Sequence, residues 1–387
     1  MPKKLLSFLM MLIMAFTLLV PSKMVARADI KELKGIAKIE DISKYGNVYL
    51  SIKYNEILDA GYQYGDIVTL SFLDKTMEVP FCRAYSDVET GKVAVFAREE
   101  EKNVLIAINM GDFATTYNLA EKTTAEDRTY KWVANPEVSF PVEFSIKMSD
   151  PGGYFEAFML HQMTYTTNRA DYSHLSDEEF ANFREVTTTG IGKGRLYRSS
   201  SPIDPDDKRS AYADKALKKE KVTVILNLAD NEVDAMEYPG FDKTYYSKQK
   251  FIALNMSMDY EEKDFQDKLA AGLRFMIDNP GVYEIHCKEG KDRSGFVCAL
   301  LECLMGASYE EVVDDYATTY YNYYGIKKGD EKYDYIVGNL KKILTKTFMK
   351  KDPEKADLSE AATKYINRLG LTDKEISELK KNLSDDK

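Results

Sequence analysis

Ten residues, HCKEGKDRSG at positions 286–295, concentrate the reactive groups of this chain. Cys287 stands between a histidine and a loop that carries Lys288, Gly290, Lys291 and Arg293. Thiolate is the reactive form of cysteine, and it is favoured where backbone N–H groups converge and a helix begins. The same N–H groups form a nest for an oxyanion such as phosphate, here expected from Lys288, Glu289, Gly290, Lys291, Asp292, Arg293 and Ser294. Gly290 allows a tight backbone. Arg293, five intervening residues after Cys287, can reach back and grip two phosphate oxygens in a bidentate fork. Ser294 can donate to the sulfur and help it leave. A cysteine merely buried at a helix start has no need of Lys288, Lys291 and Arg293 around it, so the crowding points to a nucleophile.

Such a loop needs a strand to deliver it and a helix to receive it. VYEIH before the loop reads as a short strand, and the apolar run GFVCALLECLM after it as a buried helix that absorbs Cys298 and Cys303. Upstream, VTVILNLA is the nearly unbroken apolar run of a strand buried on both faces, and FIALNMS is a second strand. Residues 209–219 and the amphipathic stretch 263–278 are helix candidates, the latter stopped by Asn279-Pro280-Gly281. Strands and helices alternating in this way predict an α/β domain, a mostly parallel central sheet flanked by helices, with its site at a strand's carboxyl end. Capping boxes, Ser308 with Glu311 and Thr372 with Glu375, open two later helices. Tyrosines 316, 320, 321, 323 and 324 lie at helical spacing and read as packing residues.

The rest of the chain has another texture. Over 29–135 the segments IAKIEDI, NVYLSI, DIVTLSF, KVAVFA and NVLIAIN alternate apolar and polar positions, which predicts a small all-β barrel-like domain. Residues 136–175, with Pro136, Pro141 and Pro151-Gly152-Gly153, read as a connector to a catalytic domain over 176–387. Residues 1–28 read as a secretory signal: Lys3 and Lys4, an apolar run, then Ala26-Arg27-Ala28, with cleavage expected after Ala28. The run is shorter than the roughly 20 residues that span a bilayer, so no stable membrane anchor is expected. Net charge is −10, from 53 basic and 63 acidic residues, and removing the leader takes away only cations. A surface this acidic repels phosphate backbones and argues against nucleic acid as partner. His161, His174 and His286 are scattered and suggest no metal site.

The loop is similar to the signature of the cysteine-dependent protein tyrosine phosphatase superfamily, and its Gly-Lys-Asp-Arg-Ser-Gly ending resembles the bacterial branch of atypical tyrosine and lipid phosphatases. Asn182-Phe183-Arg184-Glu185, Gly194-Arg195-Leu196-Tyr197-Arg198-Ser199, Asp314-Asp315-Tyr316 and the stretch from Tyr365 to Leu371 resemble further elements of that branch. The resemblance implies attack by Cys287, a cysteinyl-phosphate, charge stabilisation by Arg293, and no metal or other cofactor. The implied substrate is a phosphotyrosine protein, a phosphoinositide or an inositol phosphate; Lys288 and Lys291 would favour one bearing several phosphates. For the general acid three residues stay open. Asp292 matches the Lys-Asp-Arg of the branch, Asp259 follows a strand as a mobile acid loop would, and Asp230 is displaced from the expected position, which Asn227 occupies. In the β-rich part, DISKYGNVYLSI, LDAGYQYGDIVTLSF and IAINMGDFATTYNL resemble the C-terminal β-barrel domain of the S-adenosylmethionine hydroxide adenosyltransferases, without their catalytic half. The competing expectation is an extracellular binding protein that uses this domain to hold a surface ligand, with a vestigial phosphatase site.

Overall fold

The alternating segments do form strands. A computed structural model describes residues 30–124, 130–206 and 208–385, so the leader expected at 1–28 lies outside the described residues. The chain divides after Phe155 into two units. The first is built on β1 (Leu33–Ala37), β2 (Val48–Lys53), β3 (Ile67–Phe72), β4 (Lys75–Cys82), β5 (Val93–Phe96) and β6 (Asn103–Ile108), then β7 (Ala120–Thr124), β8 (Tyr130–Ala134) and β9 (Val142–Asp150). Seven of them make one sheet in the order β1-β9-β3-β4-β5-β6-β2, while β7 and β8 form a separate hairpin. The two edges return to one another. Ile36 N–H donates to Ser51 Oγ at 3.0 Å, and a Cβ on Gly35 would stand 2.8 Å from Ile52. The sheet is therefore nearly closed and barrel-like, around Leu50, Val68, Leu70, Phe72, Phe81, Ile106 and Phe144.

Within 136–175, read from sequence as a connector, β9 runs between β1 and β3 and pairs with both. Val142, Phe144 and Ile146 point inward with the period of two that a strand requires. Pro141 and Pro151, read as breakers, stand just outside its ends. β4 carries Pro80 inside a sheet, a residue that argues against a strand in any reading from sequence.

The second unit has strands β10 (Arg184–Glu185), β11 (Leu196–Ser199), β12 (Val224–Asn227), β13 (Lys250–Ala253) and β14 (Tyr283–His286). Its helices include α1 (Ser210–Lys219), α2 (Lys263–Asp278), α3 (Asp292–Met305), α4 (Tyr309–Tyr324), α5 (Glu331–Leu344), α6 (Leu358–Arg368) and α7 (Asp373–Leu383). The strand order is β10-β11-β14-β12-β13, parallel except for β10, with β14 in the centre. Tyr283, Ile285, Val224 and Leu226 pack with α2 to α7 on one face; Ile225 packs with Ala213 and Leu217 of α1 on the other. Helices thus cover both faces, as the apolar run of β12 requires. Both capping boxes form: Glu311 N–H donates to Ser308 Oγ at 3.3 Å and Glu375 N–H to Thr372 Oγ1 at 3.2 Å. Tyr316, Tyr320 and Tyr323 of α4 are buried packing residues.

Candidate active site

β14 ends at His286, and α3 begins at Asp292, so Cys287–Lys291 must turn through the loop between them. Gly290 sits at φ +68°, and a Cβ there would lie 2.1 Å from Ser199 O, so no side chain fits. The backbone carbonyls of this loop are taken up by the surrounding framework. Ser201 N–H donates to Lys288 O at 2.9 Å. Asn182 Nδ2 donates to Glu289 O at 3.0 Å, and Arg198 Nη2 to Gly290 O at 2.8 Å. Gly295 N–H reaches Lys291 O at 3.0 Å. His286 Nδ1 lies 3.3 Å from Cys287 O; a carbonyl only accepts, so this nitrogen carries the proton. Burial drives the His286 pKa down to about 3, so the ring is neutral. In a trans peptide the N–H points opposite to the preceding C=O. With the carbonyls turned outward to these donors, the N–H groups that follow them face into the loop.

The donors are themselves held. Arg198, fully buried in β11, pairs with Asp315 of α4 at 2.5 Å, and Arg184 Nε donates to the same carboxylate at 2.8 Å. Burial pushes the Asp315 carboxyl up, but the two guanidinium groups outweigh it and lower its pKa to about 2. Asn182 Oδ1 accepts from Arg184 Nη1 at 2.7 Å and from Asn322 Nδ2 at 3.1 Å. One ionic cluster therefore joins β10, β11 and α4 behind the loop. Asn182, Arg184, Arg198 and Asp315 were visible in sequence only as parts of resembling motifs, with no role. A charged residue within the apolar strand LYRS, and an aspartate beside Val312, Val313 and Tyr316 on a buried helix stretch, are the signals that mark them.

Cys287 is buried, as are Cys82, Cys298 and Cys303, and all four are free thiols. Arg293 Nη1 donates to Leu228 O at 3.1 Å and Met256 O at 3.2 Å, at the carboxyl ends of β12 and β13. Ser294 Oγ is buried with no hydrogen-bond partner among the described residues. The two lysines part company. Lys288 is 62% exposed, with its ammonium 3.9 Å from Asp204. Lys291 is turned inward, 2.9 Å from Glu289 and 3.7 Å from Asp292, and also donates to Tyr324 Oη at 3.4 Å. Burial pushes the Glu289 carboxyl up, but Lys291 and a hydrogen bond from Tyr165 at 2.9 Å outweigh it and hold it below the usual range. Of the two lysines expected to favour a substrate with several phosphates, Lys288 is open to solvent and Lys291 is paired within the loop.

Of the three aspartates, Asp230 has both oxygens occupied, by Asn227 Nδ2 at 2.9 Å and Tyr238 Oη at 3.1 Å. Asp292 is the first residue of α3 and lies beside Lys291. Asp259 sits in the segment after β13, where Leu254 N–H donates to Asn227 O at 2.8 Å and Met256 N–H to Leu228 O at 3.0 Å. Arg293 holds that same segment through Met256 O. Among the described residues no group of three or more His, Cys, Asp or Glu is placed to hold a metal ion.

Residues 176–385 match the tyrosine phosphatase family, and residues 37–126 match the S-adenosylmethionine hydroxide adenosyltransferase C-terminal domain. No curated protein matches the chain. Similar solved structures include an uncharacterised conserved protein from Thermotoga maritima, 20% identical over 30% of this chain and 36% of that one, with TM-score 0.23. This chain thus covers about a third of that protein's length. Another is the core catalytic domain of the PP-IP phosphatase SIW14 from S. cerevisiae, 23% identical over 43% of this chain and 91% of that one, with TM-score 0.27. The Yvh1 phosphatase domain from Chaetomium thermophilum is 15% identical over 38% and 90% of the two chains, with TM-score 0.21. With a family match over more than half its length, the chain belongs to the tyrosine phosphatase family and is a phosphoric monoester hydrolase.

Proposed function

We propose that the chain is a cysteine-dependent phosphomonoesterase that works through a cysteinyl-phosphate. One observation carries this: the carbonyls around Cys287 are turned outward to Ser201, Asn182, Arg198 and His286. That leaves inward N–H groups suited to three phosphate oxygens. Cys287 Sγ attacks phosphorus in line, and the P–O ester bond breaks as the S–P bond forms. Asp259 gives its proton to the departing oxygen. Water then attacks the cysteinyl-phosphate, Asp259 takes up the proton, and Ser294 donates to the departing sulfur as inorganic phosphate leaves. Arg293 grips two phosphate oxygens as charge develops. Asp259 is preferred as the acid because its segment is tied to Arg293, whereas Asp230 is doubly engaged and Asp292 stands beside Lys291.

The substrate is a phosphotyrosine protein, a phosphoinositide or an inositol phosphate, with Lys288 the loop lysine open to solvent. The protein acts outside the cell after cleavage behind Ala28; a mature form from culture medium whose amino terminus is not Asp29 would overturn that part. The central test is hydrolysis of p-nitrophenyl phosphate with reductant and EDTA, beside Cys287→Ser. Turnover by the native protein and none by the variant is expected. Turnover surviving in Cys287→Ser removes Cys287 from the role.

A further inference from the structure

The second unit begins at Glu156, ahead of the stretch 176–385 that matches the family, and one residue of this leading segment reaches the phosphate loop. Tyr165 Oη donates to Glu289 Oε1 at 2.9 Å. The other oxygen of that carboxylate faces Lys291 Nζ at 2.9 Å. Glu289 is thus gripped from two sides, by a cation of its own loop and by a hydroxyl that comes from 124 positions earlier in the chain.

The hydroxyl is held in place before it bonds. The Tyr165 ring stands edge-on to Tyr323 at 4.8 Å and to Tyr324 at 5.8 Å, at the carboxyl end of α4. The guanidinium of buried Arg209 lies 5.8 Å from the ring centre. The backbone beside it is anchored too. Thr166 N–H donates to Tyr172 Oη at 3.3 Å, and Tyr172 is buried with its ring centre 5.3 Å from that of Phe180. Arg169 donates to Tyr172 O at 2.6 Å and to Leu175 O at 2.7 Å. A ring already fixed by its neighbours gives up little further freedom when its hydroxyl bonds.

A carboxylate two residues after the nucleophile works against a loop that must take up an anion, because like charges brought together oppose binding. Lys291 offsets it, but the same ammonium is 3.7 Å from Asp292 and so serves two carboxylates. The Tyr165 hydroxyl supplies a second hold on Glu289. We propose that Tyr165 is a positioning residue for phosphate binding, holding the Glu289 carboxylate beside Lys291 and the end of α4 so that it does not oppose the incoming phosphate. The inference rests on the phosphatase reading of the Cys287 loop and adds to it a residue from outside the family's matched span.

The test is steady-state hydrolysis of p-nitrophenyl phosphate by the full chain, with inhibition by inorganic phosphate, in Tyr165→Phe, Glu289→Gln and the double variant. Tyr165→Phe keeps the ring and removes one hydroxyl. It should raise KM and the phosphate inhibition constant about threefold to tenfold, with kcat within about twofold of the native value. The two variants that carry Glu289→Gln should share one KM, because an uncharged amide leaves Tyr165 no charge to restrain. An unchanged KM in Tyr165→Phe overturns the proposal. So does a rise of the same size in the Glu289→Gln background, which would mean that the hydroxyl acts through packing alone. A fall in kcat with KM unmoved overturns it as well. Turnover surviving in Cys287→Ser, read in the same assay, would instead remove the phosphatase reading beneath it.

Discussion

Three aspartates compete for the proposed role of general acid, and each already has a partner: Asp259 Oδ1 accepts from Glu261 N–H at 3.3 Å. Asp230 is consumed by Asn227 and Tyr238, Asp292 sits beside the buried Lys291, and Asp259 rides on a segment that Arg293 grips. A general acid matters most when the departing oxygen is a poor leaving group. Asp259→Asn should therefore cut kcat for phenyl phosphate about 10²–10⁴-fold, and for p-nitrophenyl phosphate far less. If Asp292→Asn produces that contrast and Asp259→Asn does not, the role moves to Asp292. At this scale Cys287, Gly290, Arg293 and Ser294 were legible because their chemistry is local to one loop. The pairing of Lys291 with Glu289 was not, because the two face each other only after the backbone closes.

Elements matter here through the cluster behind the loop. Arg198 comes from β11, Arg184 from β10 and Asp315 from α4, and together they fix the carbonyls of Gly290 and Lys291. Replacing Asp315 takes away the carboxylate that both buried guanidinium groups pair with, a loss that typically costs about 3–5 kcal/mol. Asp315→Asn should show that loss in denaturant unfolding at pH 7. The sign with pH follows from the depressed carboxyl, with its pKa lowered to about 2. The contribution is present above the unfolded value of about 3.9 and is lost as pH falls through about 2. The gap between native protein and Asp315→Asn should therefore narrow between about pH 4 and pH 2. A gap that stays constant over that range would remove Asp315 from the titration. Arg198→Met separates positioning from stability. At a temperature where it remains folded, it should bind vanadate about tenfold or more weakly, because Gly290 O loses its donor. Unchanged vanadate affinity would mean the loop holds itself.

Most elements of the second unit followed from periodicity and caps, but the ties between them did not, since a buried ion pair joins residues more than a hundred positions apart. β9 shows the converse. Its alternation was plain in VEFSIK, yet the prolines beside it argued for a connector, and only pairing with β1 and β3 decides between them.

Taken whole, the molecule holds four thiols, all of them buried. Burial pushes the thiols of Cys82, Cys298 and Cys303 up, and for Cys298 that outweighs the nearby Arg198. These three are packing groups: Cys82 in the β-rich unit, Cys298 and Cys303 on the apolar length of α3. Cys287 differs in standing where a strand ends, a helix begins and N–H groups face inward, an arrangement that favours a reactive sulfur. Alkylation should then be selective. Iodoacetate at about pH 6.5 should modify Cys287 first in the native protein, read by peptide mass spectrometry, with activity lost in step. Inorganic phosphate or vanadate should protect it by filling the same nest, while in denaturant all four should react alike. The charge of the chain sharpens the argument. With net charge −10, the overall field repels iodoacetate, phosphate and any phosphorylated substrate alike. Selective modification at Cys287, blocked by an anion, would mean that local amides and Arg293 overcome that field at one point. Labelling spread evenly over the four thiols, or insensitive to phosphate, would remove the basis for placing the reaction there.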